Sequence, residues 1–498
     1  MNRFLSGIIS VFTAAVMSFS AAVVPVSAAS AATLPSNDAM LFVDKMGAGW
    51  NLGNAFDSTN CTWLSDKLDY ESGWCGVKTT RDLIKTVKSA GYGTIRIPVS
   101  WHDHVDSRFN IDSAWLDRVK EVVDWSLDEG LCVILNVHHD VLDGYYYPSS
   151  GKLSKSTEYM KKIWSQLCDK FSGTGEKLIF EAINEPRLVG TNYEWYYDTN
   201  NVPADAKDSL DCINKLNQTF VDTVRASGGS NKSRYLLVGG YDTDGTVKGI
   251  LSPLFKMPTD SAKNRLIADV HYYGRGEGKA HTLLDGLYKA FTSKGVPVVI
   301  TEYGMNEGGF DYEGRTDIVV PEFKEFFSYA RGRGVTVCVW DTNYGGAGVR
   351  DGSRFIDRAS AKVVAPDVVK VMVEGGKSSG LKTTLPLPEG MEAESGSNKT
   401  DSSSVTNSAA NTVKPQVTAT AYKNKVKLKW NRIDGASKYR VYQLIDGKYT
   451  KVKAVSGTSA TVTGLKSGKT YKFIVRAYVN GKWTEMKASD AVKVKTKS

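Results

Sequence analysis

The stretch LIFEAINEPR, Leu178–Arg187, runs apolar and then places Asn184, Glu185 and Pro186 at its end. A short apolar run bounded in this way reads as a strand buried on both faces. Seven more such runs flank it, separated by helix-length segments. They are GAGWNLG from Gly47, GTIRIPV from Gly93, CVILNVHH from Cys132, YLLVGG from Tyr235, LIADVHYY from Leu266, PVVITEYG from Pro297 and VTVCVW from Val335. The intervening segments carry helical spacing: SAWLDRVKEVVDWSLDEG sets Trp115, Val119, Val122 and Val123 on one face, with Gly130 where a C-cap stands. Eight alternating units predict an α/β fold, a (β/α)₈ TIM barrel. A doubly wound open sheet fits less well, because no phosphate-binding glycine fingerprint follows the first strand.

The rest of the chain divides by composition. Arg3, the apolar FLSGIISVFTAAVMSFSAAVVPV and the small residues Val26–Ala28 predict a signal peptide over 1–28, hence a secreted chain with no membrane segment after cleavage. The barrel is expected over 35–375, and a Ser/Thr/Asn-rich linker over 376–412. Over 413–498 come short alternating strands with hairpin signals at Asp446–Gly447 and Asn480–Gly481, which predict a small all-β sandwich. This stretch resembles a fibronectin type III module, with Trp430 in an early strand, Leu465 before the SGKTY turn and Tyr471 opening the next strand.

Charge divides the chain in the same place. The net +9 is a sum of unlike parts: Val413–Ser498 holds 20 Lys+Arg against 4 Asp+Glu, a net +16, while the remainder holds 43 against 50, a net −7. A basic module on an acidic body suggests separate partners, an anionic wall polymer for the module and cell-wall association for the protein. The alternatives are a spacer and a merely solvated lysine face, such as Lys425, Lys427 and Lys429; outside the cell nucleic acid has little place as a partner. Of six cysteines, Cys132 and Cys338 read as small core residues, and Cys61 and Cys75 share one loop where pairing stays open. No zinc-type spacing occurs, and neither cofactor nor metal is called for.

In a parallel barrel the C-terminal strand ends line the active site. They supply Asn51 and Asn54, Arg96, His138, His139 and Asp140, Asn184 and Glu185, His271 and Tyr273, Glu302 and Tyr303, and Trp340 and Asp341. Two carboxyls facing across a sugar linkage divide the roles of acid and nucleophile, and need different environments to do so. Arg96 suits Glu302 as the charged nucleophile, whereas Glu185 as the acid is expected further from cations and nearer apolar walls. Asn184 beside Glu185 can donate to a sugar 2-hydroxyl.

Taken together, GWNLGNAFD, IRIPVSW, ILNVHHD, FEAINEPR, VHYY, ITEYG and VCVWD, in that order between Met40 and Lys370, resemble glycoside hydrolase family 5, the cellulase-type retaining β-glycanases. The resemblance implies Glu185 as acid/base and Glu302 as nucleophile. Arg96 and Tyr273 would support Glu302, His138 and His271 would orient the carboxylates, and Asn184 would contact the 2-hydroxyl. Trp340 would form the sugar platform and His139 would stand beside His138. Asn51 and Trp101 join His139 and Trp340 as expected substrate contacts. Aromatics at Trp63, Trp74, Tyr145–Tyr147 and Tyr193–Tyr197 suit an open groove for a long chain. The expected activity is a monomeric, secreted endo-β-1,4-glucanase on β-glucan polysaccharide. The alternatives are a β-mannanase or xyloglucanase on the same mechanism, and a non-catalytic polysaccharide-binding protein.

Overall fold

The computed structural model describes residues 34–274, 276–305, 316–344, 353–388 and 391, and 415–497 with short gaps at 432, 434–435, 446–447, 456, 480–481 and 485–490. The expected signal peptide and most of 389–414 lie outside the described residues. The chain divides into two compact units, Met1–Pro386 and Leu387–Ser498.

In the first unit eight parallel strands close into a barrel in chain order: β1 (Gly49–Asn51), β2 (Thr94–Ile97), β3 (Cys132–Asn136), β4 (Leu178–Glu181), β5 (Leu236–Val238), β6 (Leu266–Tyr273), β7 (Val298–Gly304) and β8 (Val335–Val339). Closure is made by β8 pairing β1, with Cys338 opposite Gly49. Register decides which side chains enter the barrel. Asn51 pairs with Arg96, Arg96 with Ile134 and Ile134 with Ile179, so all four share the inner face. Two residues further on, Asn136 pairs with Glu181 on that same face. The barrel interior therefore grows more polar toward the top, where Arg96, Asn136 and Glu181 stand.

α1 (Asp38–Met46) precedes the barrel and packs Ala39, Val43 and Met46 onto Ile134, Ile179, Leu237, Ile267 and Val299, closing the bottom. Asn37 caps it by accepting from the Met40 amide at 3.0 Å. Outside lie α2 (Arg81–Ser89), α3 (Ser113–Asp128), α4 (Leu153–Lys170), α5 (Ala204–Ala226), α6 (Glu277–Ala290), α7 (Thr316–Gly332) and α8 (Pro366–Gly375). α3 ends as expected, with Gly130 at φ 77°. One expected helix is missing: between β5 and β6 the described chain forms only a 3₁₀ turn, Tyr241–Thr243. Gly239, Gly240, Gly245, Gly249, Pro253 and Pro258 crowd that connection, and residues so poor in helix propensity cannot sustain one. A small ribbon of β9 (Ile356–Asp357) and β10 (Lys362–Val363) follows β8.

Residues 376–386, expected to open the linker, pack on the barrel instead. Arg331 donates to the Gly376 carbonyl at 2.6 Å, Asp44 accepts from the amides of Ser379 and Gly380, and Arg333 donates to the Pro386 carbonyl at 2.8 Å. The reason is a buried ion pair, Arg331 with Asp44 at 3.2 Å, and this segment supplies further partners to the carboxylate and to Arg331 Nη2.

The second unit holds two antiparallel sheets. One orders β11 (Val417–Ala421), β12 (Lys425–Trp430) and β15 (Ser459–Thr463); the other orders β14 (Lys448–Val455), β13 (Ala436–Ile445), β16 (Thr470–Val479) and β17 (Lys482–Trp483), with β18 (Val492–Lys495) also on β16. Their inner faces share a core of Val426, Leu428, Trp430, Val441, Phe473 and Val475. Ile445 opposite Lys448 and Val479 opposite Lys482 leave two residues for each hairpin connection; the turn residues themselves lie outside those described. All six cysteines are unpaired thiols, Cys61 and Cys75 included. Among the described residues no helix is long and apolar enough to cross a membrane.

Candidate active site

The polar upper layer of the barrel is organised by Arg96, which is wholly buried. All five of its N–H groups are used. Nε and one Nη2 hydrogen grip the two oxygens of Glu181 at 2.6 and 2.7 Å. Nη1 donates to Asn51 Oδ1 at 3.0 Å and to Glu302 at 2.7 Å, and Nη2 also reaches Asn184 Oδ1 at 2.7 Å. Burial alone would weaken the guanidinium's charge, but the negative charges of Glu181 and Glu302 outweigh it and push its pKa up. Asn136 donates to Glu181 at 2.9 Å and lies 3.0 Å from His138 Nδ1. That contact assigns Nδ1 as acceptor and Nε2 as the protonated nitrogen, which lies 3.9 Å from Glu302. Burial, with the charges of His139 and Arg96, holds His138 neutral. Arg96→Met would strand Glu181 and Glu302 without their cation, at a cost of about 3–5 kcal/mol. The expected result is insoluble expression or a large fall in Tm, and a variant that melts like the wild type would overturn this account.

Glu302, on β7, accepts from Arg96 on one oxygen and from the Tyr273 hydroxyl at 2.6 Å on the other. Glu185 stands across from it, four residues beyond the end of β4. His271, on β6, lies between them, with Nδ1 2.9 Å from Glu185 and 3.6 Å from Glu302. These three groups bring one atom each within 4.8 Å of one another. Contrary to expectation, Glu185 is close to cations, with Arg187 Nη1 at 3.4 Å. Burial would raise Glu185, yet the hydrogen bond and charge of His271 and the charge of Arg187 hold it down to about 2. Burial would lower His271, yet Glu302 and Glu185 lift it to about 9. The proton that an acid would need is therefore stored one hydrogen bond away, on the imidazole.

Two expected contacts lie elsewhere. Trp101 is fully buried, its ring N–H donating to the Asn136 carbonyl at 2.9 Å, so it offers no face to a sugar. Asn51 lies under the site, its amide donating to the carbonyls of Thr301 and Val339 while its oxygen accepts from Arg96. Trp340 is half-buried and parallel to His138, with ring centroids 5.8 Å apart. Gly53 makes room for it, since a Cβ there would stand 2.8 Å from the indole. His139 is partly exposed beside Trp74. Asn54 and Asp57 form a turn, Asp57 accepting from the amides of Asn54 and Ala55. Asp140 is spent on the amides of Trp101 and His102. On the rim, Trp63, Trp195 and Tyr196 are 65%, 57% and 73% exposed, whereas Tyr146 and Tyr197 pack their loops. Arg187 lies 4.1 Å from the Trp195 ring centroid, so one cation serves both Glu185 and the rim. A cavity of about 500 Å³ opens beside Glu185, His271, Trp195 and Asp242.

Glu181, Asn136, Asp269 and Arg187 were not singled out from the sequence. A carboxylate inside an otherwise apolar strand is itself a signal, since burial demands a partner. Asp269 accepts from Thr301 at 2.6 Å, and burial together with the charge of Glu181 raises it to about 8. Asp57, His138 and His139 also bring three ligand-type atoms within 4.8 Å.

An eight-stranded barrel whose strand ends juxtapose two carboxyls, one braced by arginine and tyrosine and the other by histidine, defines a glycoside hydrolase. The chain belongs to glycosyl hydrolase family 5, the cellulase family, whose model matches residues 51–346. Among curated relatives, Endoglucanase A of Clostridium longisporum is 33% identical over 359 residues, covering 68% of this chain and 65% of that protein, just under two thirds of its length. Endoglucanase 1 of Ruminococcus albus is 34% identical over 357 residues, covering 68% of this chain and 81% of that one. A solved family 5 lichenase from Caldicellulosiruptor sp. F32 is 43% identical, with TM-score 0.65, covering 70% of this chain and 97% of that one. A mutant of that lichenase has been solved with cellotetraose.

Proposed function

We propose that the chain is a secreted endo-β-1,4-glucanase that cuts internal bonds of β-1,4-glucans, mixed-linkage glucan among them, with retention of configuration. The observation that carries this is the close approach of Glu185 and Glu302, within 4.8 Å between oxygens. Retaining enzymes place their carboxyl groups about 5–5.5 Å apart, whereas inverting enzymes leave about 6.5–9.5 Å for a water. Glu302 attacks the anomeric carbon as the glycosidic C–O bond breaks, and Glu185 passes to the departing oxygen the proton it draws from His271 across their hydrogen bond. Water then attacks the same carbon, passes a proton to Glu185 and releases Glu302. Arg96 and Tyr273 fix the nucleophile, Asn184 is turned by Arg96 so that its NH₂ faces outward to the 2-hydroxyl, and Trp340 carries the sugar. The named activities of the relatives, and the exposed rim aromatics, support a groove for long glucans.

We read the second unit as a fibronectin type III-like sandwich, supported by its three-strand and five-strand sheets and by the Tyr471 hydroxyl, which accepts from the Lys466 amide at 2.7 Å. Its net +16 supports binding of an anionic wall polymer.

The test is product release from carboxymethylcellulose, barley β-glucan, xyloglucan and mannans, with Glu185 and Glu302 variants alongside. Activity confined to mannans would keep the chemistry and overturn the substrate. The pH profile tests the proton store. One proton must remain on the Glu185–His271 pair; it leaves as pH rises toward about 9, so activity falls on that side. His271→Asn removes the group that retains it, leaving Glu185 beside Arg187 alone. The basic limb of kcat/KM is expected to move to lower pH by at least about one unit. A limb that stays in place would show that the proton is held elsewhere.

A further inference from the structure

We infer that the outer face of the three-stranded sheet, β11–β12–β15, is a binding surface for a polyol-phosphate polymer of the kind bacterial walls carry. This inference rests on the reading of the second unit as an anionic-polymer binder and assigns that role to one face. The central strand β12 alternates buried and exposed residues, and every exposed position is a lysine: Lys425, Lys427 and Lys429. Two residues along a strand advance about 6.8 Å, so the three lysine side chains leave the strand in a row at regular spacing. Register places a hydroxyl residue on either side. Thr420 pairs with Lys427 and Thr418 with Lys429 on β11; Thr463, Thr461 and Ser459 pair with the three lysines on β15. The four acidic residues of the module, Asp434, Asp446, Glu485 and Asp490, belong to none of these strands.

Three like charges in a row on one strand repel, and the three strands of this face carry no acidic residue to offset them. On the other sheet two of the cations are already engaged, with Lys438 4.5 Å from the Tyr478 ring centroid and Arg440 4.2 Å from that of Trp483. A linear polyanion laid along β12 would match the lysine row charge for charge, with the flanking hydroxyls of Thr420, Ser459 and Thr463 donating to its oxygens. The choice of phosphodiester follows from residue type. Lysine binds phosphate as a point charge, whereas paired recognition of carboxylate favours the arginine fork, and this face has no arginine. It also has no aromatic among its outward positions on which bases could stack, and Tyr422 at its margin already lies 5.2 Å beneath the Lys425 ammonium.

The experiment measures binding of polyglycerol phosphate to the full chain at low salt, beside polygalacturonate and a single-stranded DNA oligonucleotide. Two variants each remove three positive charges: K425Q/K427Q/K429Q from the face, and K466Q/K469Q/K472Q from exposed positions off it. The face variant is expected to bind about tenfold more weakly with a shallower salt dependence, and the control variant less than about threefold more weakly. Hydrolysis of barley β-glucan should be the same in all three proteins. Equal losses in both variants would remove the face while leaving the charge-based reading of the module intact. No binding of any polyanion by the wild type would remove both. Tighter binding of polygalacturonate or DNA than of polyglycerol phosphate would overturn the phosphodiester assignment.

Discussion

Glu302→Ala is expected to lower kcat on barley β-glucan by about four orders of magnitude or more, since removing a nucleophile leaves only binding and electrostatics to act on the substrate. The barrel should survive the change. Arg96 keeps its two-point grip on Glu181 and its bonds to Asn51 and Asn184, so losing one of the carboxylates around a single guanidinium leaves no buried cation unpaired. The alanine also opens a gap against the anomeric carbon, bounded by Tyr273 and Arg96, into which a small anion such as azide fits. Added azide should restore turnover and yield the α-glycosyl azide, because it attacks from the side that Glu302 occupied. Residual activity within about tenfold of wild type, or a β-azide, would transfer the nucleophile role to another group.

How far the sequence foretold this site depends on where each residue lies relative to a strand end. The apolar runs announced the barrel because buried parallel strands leave no polar alternation to confuse them. Glu185, Glu302, His138, His271 and Tyr273 stand where those runs turn polar, and all five meet at one mouth. Glu181 was hidden by its position inside a run, where only the in/out parity set by register shows that it faces Arg96. Trp101 misled for the opposite reason. It follows β2 directly and looks like a rim aromatic, but the amides of Trp101 and His102 are tied down by Asp140, and the indole turns inward to the Asn136 carbonyl. That fold-back depends on a contact with a residue 39 positions away, which no local pattern encodes. Likewise the missing helix after β5 was counted from spacing, although the density of glycine and proline there argued against it.

Glu185→Ala should produce a different signature, and the contrast separates the two carboxyls. On polysaccharide the leaving group is an alcohol that cannot depart without a proton, so kcat/KM is expected to fall by about 10²–10⁴-fold. On an aryl cellobioside with a strongly acidic phenol the leaving group needs no help, so bond cleavage should proceed nearly unimpaired while the glycosyl-enzyme accumulates, giving a burst of phenol. The structure gives a reason to expect the full effect. Glu181, the carboxylate that ends β4, has both oxygens held by Arg96 and a further bond from Asn136, so it is not available as a substitute acid. His271 is no ready substitute either, since its Nδ1 lies 3.6 Å from Glu302, on the nucleophile's side of the cleaved bond. Equal losses on the two substrates would mean that Glu185 acts by holding His271 and Arg187 in place. The acid would then have to be the imidazole itself.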